Sequence, residues 1–268
     1  VLLVEKNLPV SINGQSPEIV AREAILQAGG MLRESFRLAD AQVSFKGRAD
    51  VVTNIDLEVE EVVRDFLLKQ FPDFGFLGEE LGSVSANSPY QWVVDPIDGT
   101  ANFAKGIPHI STTLALTYND KPIIGATLDP LRDHLFYARE GEGFTFNGNK
   151  VSFVPEKTFE LATIGMDSGS DEELVKRTIE IALNVLPVHR IRIMGSAALA
   201  FAYVATGWYD LYLHFELKPW DVAAGLLFIR ESTAELDCLG PGSEKADLFS
   251  AKYLAGNKDL IDICKFWD

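Results

Sequence analysis

The chain has 268 residues, 47% of them hydrophobic, and its 24 Lys and Arg against 39 Asp and Glu give a formal net charge of −15. A field of that sign repels nucleic acid and anionic membranes, and no apolar run approaches the length of a bilayer span, so we expect neither partner. The start of the sequence has no signal-like segment, and the two cysteines, Cys238 and Cys264, lie far apart. We therefore expect a cytoplasmic protein with reduced thiols.

Four elements are predicted in the first hundred residues: a helix at 17–36, extended chain at 43–52, a helix at 57–71 and a buried strand at 91–95. Ser16 followed by Pro17 is typical of a helix start, since proline at the first helical position loses no hydrogen bond. Thr53 and Asp56 have the spacing of a capping box, and Pro72 marks the end of the second helix. The strand prediction depends on a short run of apolar residues.

The middle of the chain, from Ser111 to Val151, alternates apolar segments with turn formers and predicts an antiparallel meander. Its turns are expected at Asn119-Asp120, Asp129-Pro130, 141–143 and 147–149. Beyond residue 155, strand-like and helix-like segments alternate, which indicates an α/β layer. We therefore predict two halves, an α+β half at residues 1–155 and an α/β half at residues 156–268.

The segment DPIDGT, from Asp95 to Thr100, has the first residues suited to chemistry. Two carboxylates lie three residues apart at the end of an apolar strand, Gly99 permits a sharp turn, and Thr100 starts a short predicted helix. Carboxylate and carbonyl oxygens are hard ligands that suit Mg²⁺ or Mn²⁺, and the free amides of a helix start bind anions. A plain turn is the alternative, because Asp, Pro and Gly are all turn formers.

Acidic residues also occur at three other junctions between predicted elements. Glu79 and Glu80 follow an apolar stretch, Asp56 lies where extended chain passes into a helix, and Asp221 starts a helix in the second half. Each of these alone is typical of a solvated loop or a helix cap. Together with DPIDGT they favour a cation site over a turn. Cations there would also offset the repulsion between this acidic chain and a phosphorylated substrate.

The chain resembles the inositol monophosphatase family, whose members are lithium-sensitive, Mg²⁺-dependent phosphatases. Both signatures are present, WVVDPIDGTANF at 92–103 and PWDVAAG at 219–225, and DVVTNID at 50–56 and GEE at 78–80 match in order and spacing. The resemblance covers essentially the whole chain. It implies an α+β and α/β fold, a layered αβαβα sandwich of the inositol monophosphatase and fructose-1,6-bisphosphatase type.

The resemblance also implies the ligands of two to three Mg²⁺ ions, with Mn²⁺ as a substitute and Li⁺ as an inhibitor. The first ion would be held by Glu79, Asp95 and the main-chain carbonyl of Ile97. The second would be held by Asp95, Asp98 and Asp221, so that Asp95 bridges the two. A third, weaker ion would lie near Glu79.

The same resemblance implies the chemical steps. A water would attack phosphorus while Glu79 and the Thr100 hydroxyl, backed by Asp56, draw off its proton. The amides of Gly99 and Thr100 would hold the phosphate. Lys46, in a loop-like segment, matches a lysine in a mobile loop of the family, and a solvated loop lysine is the alternative.

The substrate wall is expected mainly from the second half. The residues expected to contact substrate are Asp98, Gly195, Ser196, Ala197 and His214. His214 stands where inositol-specific members have a glutamate. With Lys218 it would make the pocket more cationic and suit a second phosphate, or it would simply face the core or solvent.

The predicted reaction is hydrolysis of a small phosphate monoester, with inositol 1-phosphate as the first candidate. Phosphatases of fructose 1,6-bisphosphate, 3′-phosphoadenosine nucleotides, NADP and histidinol phosphate are alternatives within the family. A regulatory binding protein on this fold is the alternative of a different class. The expected partners are a small phosphorylated metabolite and a second copy of the chain in a homodimer.

Overall fold

The structure, a computed structural model, describes residues 8–36, 43–47, 50–154, 156, 159–169, 171–184, 190–238 and 246–265. The helices are α1 (Pro17–Phe36), α2 (Asn54–Gln70), α3 (Thr100–Lys105), α4 (Glu172–Asn184), α5 (Ala197–Ala205), α6 (Pro219–Ser232) and α7 (Lys258–Lys265). The strands are β1 (Val43–Gly47), β2 (Asp50–Thr53), β3 (Gly75–Gly78), β4 (Ser83–Val84), β5 (Tyr90–Asp98), β6 (Ser111–Tyr118), β7 (Lys121–Asp129), β8 (His134–Arg139), β9 (Gly143–Phe146), β10 (Asn149–Val151), β11 (Thr163–Asp167), β12 (Arg190–Arg192), β13 (Leu211–His214), β14 (Glu235–Cys238) and β15 (Tyr253–Gly256).

The two N-terminal helices form as predicted. Helix α1 starts at Pro17, and α2 starts directly after Thr53. The Thr53 hydroxyl accepts from the amide of Ile55 at 3.2 Å, and the Thr53 amide donates to the Asp56 carboxylate at 2.8 Å. These bonds satisfy donors that a helix start leaves free, and they confirm the predicted capping box.

The first sheet has eight strands in the order β10-β9-β8-β7-β6-β5-β3-β4. Strands β6 to β10 form the predicted antiparallel meander, and β5 extends it by pairing antiparallel with β6. Its tight turns use left-handed backbone, as at Asn119 (φ 46°) and Asp120 (φ 62°). Strand β3, in contrast, pairs with β5 in parallel and aligns Gly78 with Val94. Because parallel strands end at the same edge of a sheet, this register brings the segment after β3 close to Asp95.

The second sheet has five strands in the order β12-β11-β13-β15-β14. Strand β11 pairs in parallel with β12 and β13, whereas β15 is antiparallel to both β13 and β14. The alternation of strands and helices after residue 155 is as predicted. Strand β14 and the antiparallel edge were not predicted.

Five layers result, in the order helix, sheet, helix, sheet, helix. Trp92 and Val94 pack with α1 and α2 on one face of the first sheet, while Val93 faces α5 and α6 on the other. The same helix pair covers Tyr212 and Tyr253 of the second sheet, whose outer face packs on α4 and α7. The predicted αβαβα sandwich is confirmed.

One apolar cluster crosses the predicted boundary between the halves, since it joins Val93 and Phe136 to Phe201 and Phe228. The helices α5 and α6 pack so closely that a Cβ added to Gly225 would lie 2.6 Å from the Phe201 ring. The division into 1–155 and 156–268 stays a prediction. No helix in the described part of the chain is long and apolar enough to cross a membrane, and the side chains of both cysteines lie outside the described residues.

Candidate active site

Strand β5 is longer than predicted and contains both aspartates of DPIDGT. Its pairing with β6 shifts between Asp95, opposite Thr113, and Asp98, opposite Ser111, so β5 has one extra residue there. Pro96 lies in this bulge, where its missing amide costs no ladder hydrogen bond. The expectation that the strand ends at Asp95 is wrong. In a regular strand, side chains three residues apart point to opposite faces of the sheet. The extra residue in the bulge compensates for this, and the charge of Asp98 acts on Asp95.

Gly99 makes the turn from β5 into the short helix α3. Its φ of 94° is left-handed, and an added Cβ would lie 3.0 Å from the Gly195 carbonyl oxygen and 3.2 Å from that of His109. Only glycine avoids both the strain and the contact. The predicted sharp turn and helix start at Thr100 are therefore confirmed.

A hydrogen-bonded chain joins α3 to the start of α2. The Thr100 hydroxyl lies 3.0 Å from Asp56 Oδ1 and 2.9 Å from the Ile97 carbonyl oxygen, and its single proton can be donated to either. The other oxygen of Asp56 accepts from the Thr53 hydroxyl at 2.6 Å. Burial raises the pKa of Asp56 despite these hydrogen bonds. The structure thus brings together the three residues Thr53, Asp56 and Thr100.

Asp98 links the two halves of the chain. Its carboxylate accepts from Ser111 Oγ at 2.9 Å, from Ser196 Oγ, and from the amides of Ala197 and Ala198 at 3.0 and 3.1 Å. The last two amides start α5, so Asp98 caps a helix that lies about a hundred residues further along the chain. Burial raises the pKa of Asp98, and these hydrogen bonds oppose the rise.

Asp221 approaches Asp95 and Asp98 from the start of α6. It accepts from the amide of Lys218 at 2.7 Å, as half of a capping box. Burial raises the pKa of Asp221 to about 7, with a further contribution from Asp98. Asp221 is therefore a helix cap, as its position in the sequence suggested. It also interacts with the carboxylates of Asp95 and Asp98.

We call Asp56, Glu79, Asp95, Asp98 and Asp221 the carboxylate cluster. Burial, and then the charges of Glu79, Asp98, Asp221 and Asp56, raise the pKa of Asp95 well above its ordinary value. Asp95 is only 1% exposed, and its Oδ1 has no hydrogen-bond partner in the described part of the chain. A buried carboxylate without a partner among like charges is costly unless a cation neutralises it. The residues present therefore fit divalent cations.

This fit depends on charge and donor chemistry rather than on a finished ligand shell. Among the described residues, no group of three or more His, Cys, Asp or Glu side chains already surrounds a point where a metal ion could bind. Two of the candidate ligands, Asp98 and Asp221, instead accept protein hydrogen bonds. The assignment of individual ligands stays a prediction.

An open cavity of about 540 Å³ lies beside the cluster, between the two halves. Its lining includes Glu79, Asp98, Asp221, Gly99 and Thr100. The predicted substrate residues Gly195, Ser196, Ala197 and His214 also line it. The structure thus brings predicted site residues from both halves to one cavity, although Asp56, Asp95 and Ile97 do not line it.

The cavity lining from the second half includes acidic residues that were not predicted as site residues. We call Asp167, Met194, Gly195, His214 and Glu216 the distal wall. Asp167, at the end of β11, accepts from the amides of Met194 and Gly195 at 3.0 and 2.9 Å and from the Tyr212 hydroxyl at 3.2 Å. Burial raises the pKa of Asp167 to about 6. An Asp after a strand-like segment was the only available signal, and it is too common to single out this residue.

His214 does not add positive charge to the cavity. It pairs in register with Asp167 on the parallel neighbour strand and is 6% exposed. Its Nδ1 accepts from the amide of Glu216 at 2.9 Å, and burial lowers the pKa of His214 to about 4. The side chain is therefore neutral at pH 7. Lys218 is exposed, and no Lys or Arg side chain among the described residues lines the cavity. Of the two alternatives for His214, the structure favours the buried position in the core over a more cationic pocket.

Lys46 was predicted to lie in a loop. It instead lies in strand β1, as the second-to-last residue of that strand. Its side chain lies outside the described residues, as do residues 48 and 49 of the same segment. The prediction that it belongs to a mobile element stays a prediction.

The family model of the inositol monophosphatase family matches residues 15–264. The chain belongs to the inositol monophosphatase family. It is 33% identical over 251 residues to a fructose-1,6-bisphosphatase/inositol-1-monophosphatase of Aquifex aeolicus, which covers 91% of each chain. It is 36% identical over 219 residues to the Nus factor SuhB of Pasteurella multocida, which covers 80% of this chain and 81% of that protein.

A solved structure agrees with the family match. The extragenic suppressor protein suhB of Bartonella henselae superposes with a TM-score of 0.87 at 32% identity, over 93% of this chain and 96% of that one. As a member of this metal-dependent family, the chain is a phosphatase that hydrolyses phosphate monoesters.

Proposed function

We propose that this inositol monophosphatase family member hydrolyses inositol 1-phosphate with two to three Mg²⁺ ions. The observation that carries the metal dependence is the buried Asp95. Its Oδ1 has no partner in the described part of the chain, and the charges of four other carboxylates act on it. Phosphoryl transfer needs mainly positioning and neutralisation of charge. A cluster that requires cations for its own neutrality is suited to supply both.

The ligands in this proposal are those of the family. Glu79, Asp95 and the Ile97 carbonyl would hold one ion, and Asp95, Asp98 and Asp221 a second. When bound, such ions supply Lewis acidity, lower the pKa of water, and neutralise the charge of an in-line displacement. Mn²⁺ is the proposed substitute and Li⁺ the proposed inhibitor.

In the proposal, Thr100 and Asp56 accept the proton of the attacking water one after the other. Thr100 Oγ1 lies between Asp56 Oδ1 and the Ile97 carbonyl, so the hydroxyl can pass its proton to Asp56 when it accepts one from water. The raised pKa of Asp56 makes its carboxylate a better proton acceptor than an exposed aspartate. In the proposal Glu79 assists this step, and the amides of Gly99 and Thr100 bind the phosphate.

The distal wall favours a substrate whose leaving group donates hydrogen bonds. Asp167 and Glu216 both line the cavity, and their carboxylates are hydrogen-bond acceptors. A hydroxylated ring such as inositol would supply donors to these oxygens. A second phosphate would meet carboxylates with no Lys or Arg among the described lining residues. Inositol 1-phosphate therefore ranks above fructose 1,6-bisphosphate, 3′-phosphoadenosine nucleotides and NADP, whereas the cation of histidinol phosphate remains compatible.

A panel of these esters, assayed by phosphate release with Mg²⁺, with Mn²⁺ and with added Li⁺, tests the proposal. We expect the highest kcat/KM for inositol 1-phosphate, inhibition by Li⁺ and no turnover in EDTA. A preference for the bisphosphate or the nucleotides would contradict the assigned substrate. Release from no ester at millimolar Mg²⁺ would instead support a regulatory binding protein, because relatives named Nus factor SuhB match this chain.

The protein is further proposed to be a cytoplasmic homodimer. This part of the proposal is supported by family membership alone. Light scattering during size-exclusion chromatography measures the mass directly, and a monomer at micromolar concentration would contradict it.

A further inference from the structure

Glu60, on α2, is a buried carboxylate that the chemistry above does not use. It is 0% exposed, although a charged side chain is rarely buried unless it has partners. Its two oxygens accept from the amides of Glu80 and Leu81, both at 2.8 Å. These are charge-assisted hydrogen bonds, which are shorter and stronger than neutral ones. Glu60 therefore holds the segment that follows β3.

Gly78 shows how closely this carboxylate approaches the segment. A Cβ on Gly78 would lie 2.1 Å from Glu60 Oε1 and 2.5 Å from its Cδ. The amide of Gly78 donates to the carbonyl of Gly82 at 2.9 Å and so closes the turn, in which Gly82 has a φ of 71°. Glu79 is thus confined on both sides, by Gly78 packed on the carboxylate and by the amide of Glu80 bound to it.

The same face of α2 also carries Asp56. Residues four apart on a helix are neighbours, so Asp56 and Glu60 lie one turn apart on the same side. Asp56 binds Thr100, and Glu60 binds the segment that contains Glu79. One rigid helix therefore sets the distance between the hydroxyl of α3 and the acidic segment after β3.

We propose that Glu60 is a positioning residue that holds Glu79 against Asp95 and thereby sets the affinity of the site for divalent cations. The proposal rests on the proposed metal-dependent function. Glu60 does not touch the reacting atoms. Its effect passes through the main chain of residues 79–81, where two hydrogen bonds to one buried carboxylate leave little freedom.

The first test is Glu60→Gln, which keeps the side chain's shape but turns an NH₂ group toward one of the two amides. We expect the dissociation constant for Mn²⁺, measured without substrate by electron paramagnetic resonance of the free ion, to rise about 10- to 100-fold, as when other groups behind metal ligands are removed. The Mg²⁺ concentration for half-maximal activity should rise in parallel. At saturating Mg²⁺, kcat should stay within about threefold, since such variants lose ligand placement rather than reacting groups.

Gly78→Ala provides an independent variant that leaves Glu60 intact. The added Cβ pushes the carboxylate away from the amides, so the same weakening of Mn²⁺ binding is expected. The two changes break one contact, and the double variant should therefore be weakened by less than the product of the two single effects. Glu61→Gln, at the exposed neighbouring position on α2, is the matched control and should bind Mn²⁺ like the wild type.

Unchanged Mn²⁺ affinity in folded Glu60→Gln and Gly78→Ala proteins overturns the inference, and so does a loss of kcat with unchanged affinity. If Glu60→Gln does not fold, Gly78→Ala decides by the same measurement. The wild type separates this inference from the proposed function. A wild-type protein that neither binds Mn²⁺ nor requires Mg²⁺ would disprove the proposed function itself.

Discussion

The carboxylate cluster and the distal wall differ in how their buried acidic groups are stabilised. In the carboxylate cluster, Asp95 has neighbours of the same charge and one oxygen without a partner in the described part of the chain. In the distal wall, Asp167 receives three hydrogen bonds, and the neutral His214 accepts one. The first arrangement is costly without cations, whereas Asp167 and His214 in the second already have protein partners.

In the proposed function, this difference corresponds to two separate roles. The cluster must hold full negative charge, because charge is what attracts and orders cations. The distal wall must hold a shape, since Asp167 fixes the backbone of Met194 and Gly195 beside the cavity. The same Asp→Asn substitution should therefore have very different consequences in the cluster and in the distal wall, because it removes charge but retains an acceptor oxygen.

The largest effect is expected for Asp95→Asn. We expect turnover to fall by at least about 10²- to 10³-fold, the cost typical of losing one electrostatic group from a preorganised site. The metal-free protein should at the same time become more stable, because the substitution relieves repulsion among buried carboxylates. Phosphate release and thermal unfolding in EDTA measure the two effects. Asp73→Asn, on an exposed turn, is the control, and near-normal Mg²⁺-dependent turnover of Asp95→Asn would refute the role of the cluster.

An intermediate effect is expected in the distal wall, for Asp167→Ala. This change leaves the amides of Met194 and Gly195 without their acceptor, and KM should rise about tenfold, corresponding to the loss of roughly one charge-assisted hydrogen bond. The effect on kcat should be smaller, because all residues of the carboxylate cluster are retained in this variant. Asp167→Asn, which can still accept from both amides, should be close to the wild type. Equal damage from Asn at positions 95 and 167 would remove the distinction between the cluster and the distal wall.

The smallest effect is expected in the pH dependence of stability without metal. The pKa of Asp221 is about 7 in the folded protein, above its ordinary value, so the folded state binds the proton more tightly than the unfolded chain does. This contribution to stability is present at low pH and is lost as the pH rises from about 4 to about 7. His214, with its pKa lowered to about 4, contributes in the opposite direction over part of that range. The wild type must therefore be compared with a variant at Asp221.

Asp221→Asn should unfold at a higher temperature than the wild type in EDTA near pH 7.5, by about 2 °C or more for a protein of this size. The difference should shrink toward pH 4, where the unfolded chain also begins to protonate Asp221, because its ordinary pKa is 3.8. Saturating Mg²⁺ should reverse the order near neutral pH, because the cation stabilises the wild-type carboxylate. A difference in unfolding temperature that does not vary with pH would show that Asp221 does not titrate in this range.

Much of the fold was predictable because its signals are local. The capping box at Thr53 and Asp56, proline at the start of α1, and the turn formers of the meander each depend on residues that are neighbours along the chain. The acidic residues at strand ends and helix starts likewise pointed to a cation site before any resemblance was considered. The reaction type follows from those residues together with the two family signatures.

The tertiary structure decided what depends on residues distant in sequence. The bulge in β5 requires the pairing with β6, and Glu60 lies in an ordinary amphipathic helix whose pattern does not reveal that it reaches the amides of Glu80 and Leu81. The charge of His214 could not be predicted either, since burial and the amide of Glu216 determine it. The sequence alone therefore indicated which groups are candidates for the chemistry. Only folding decided which are charged and how they are held, because desolvation and hydrogen bonding arise from contacts that no local pattern records.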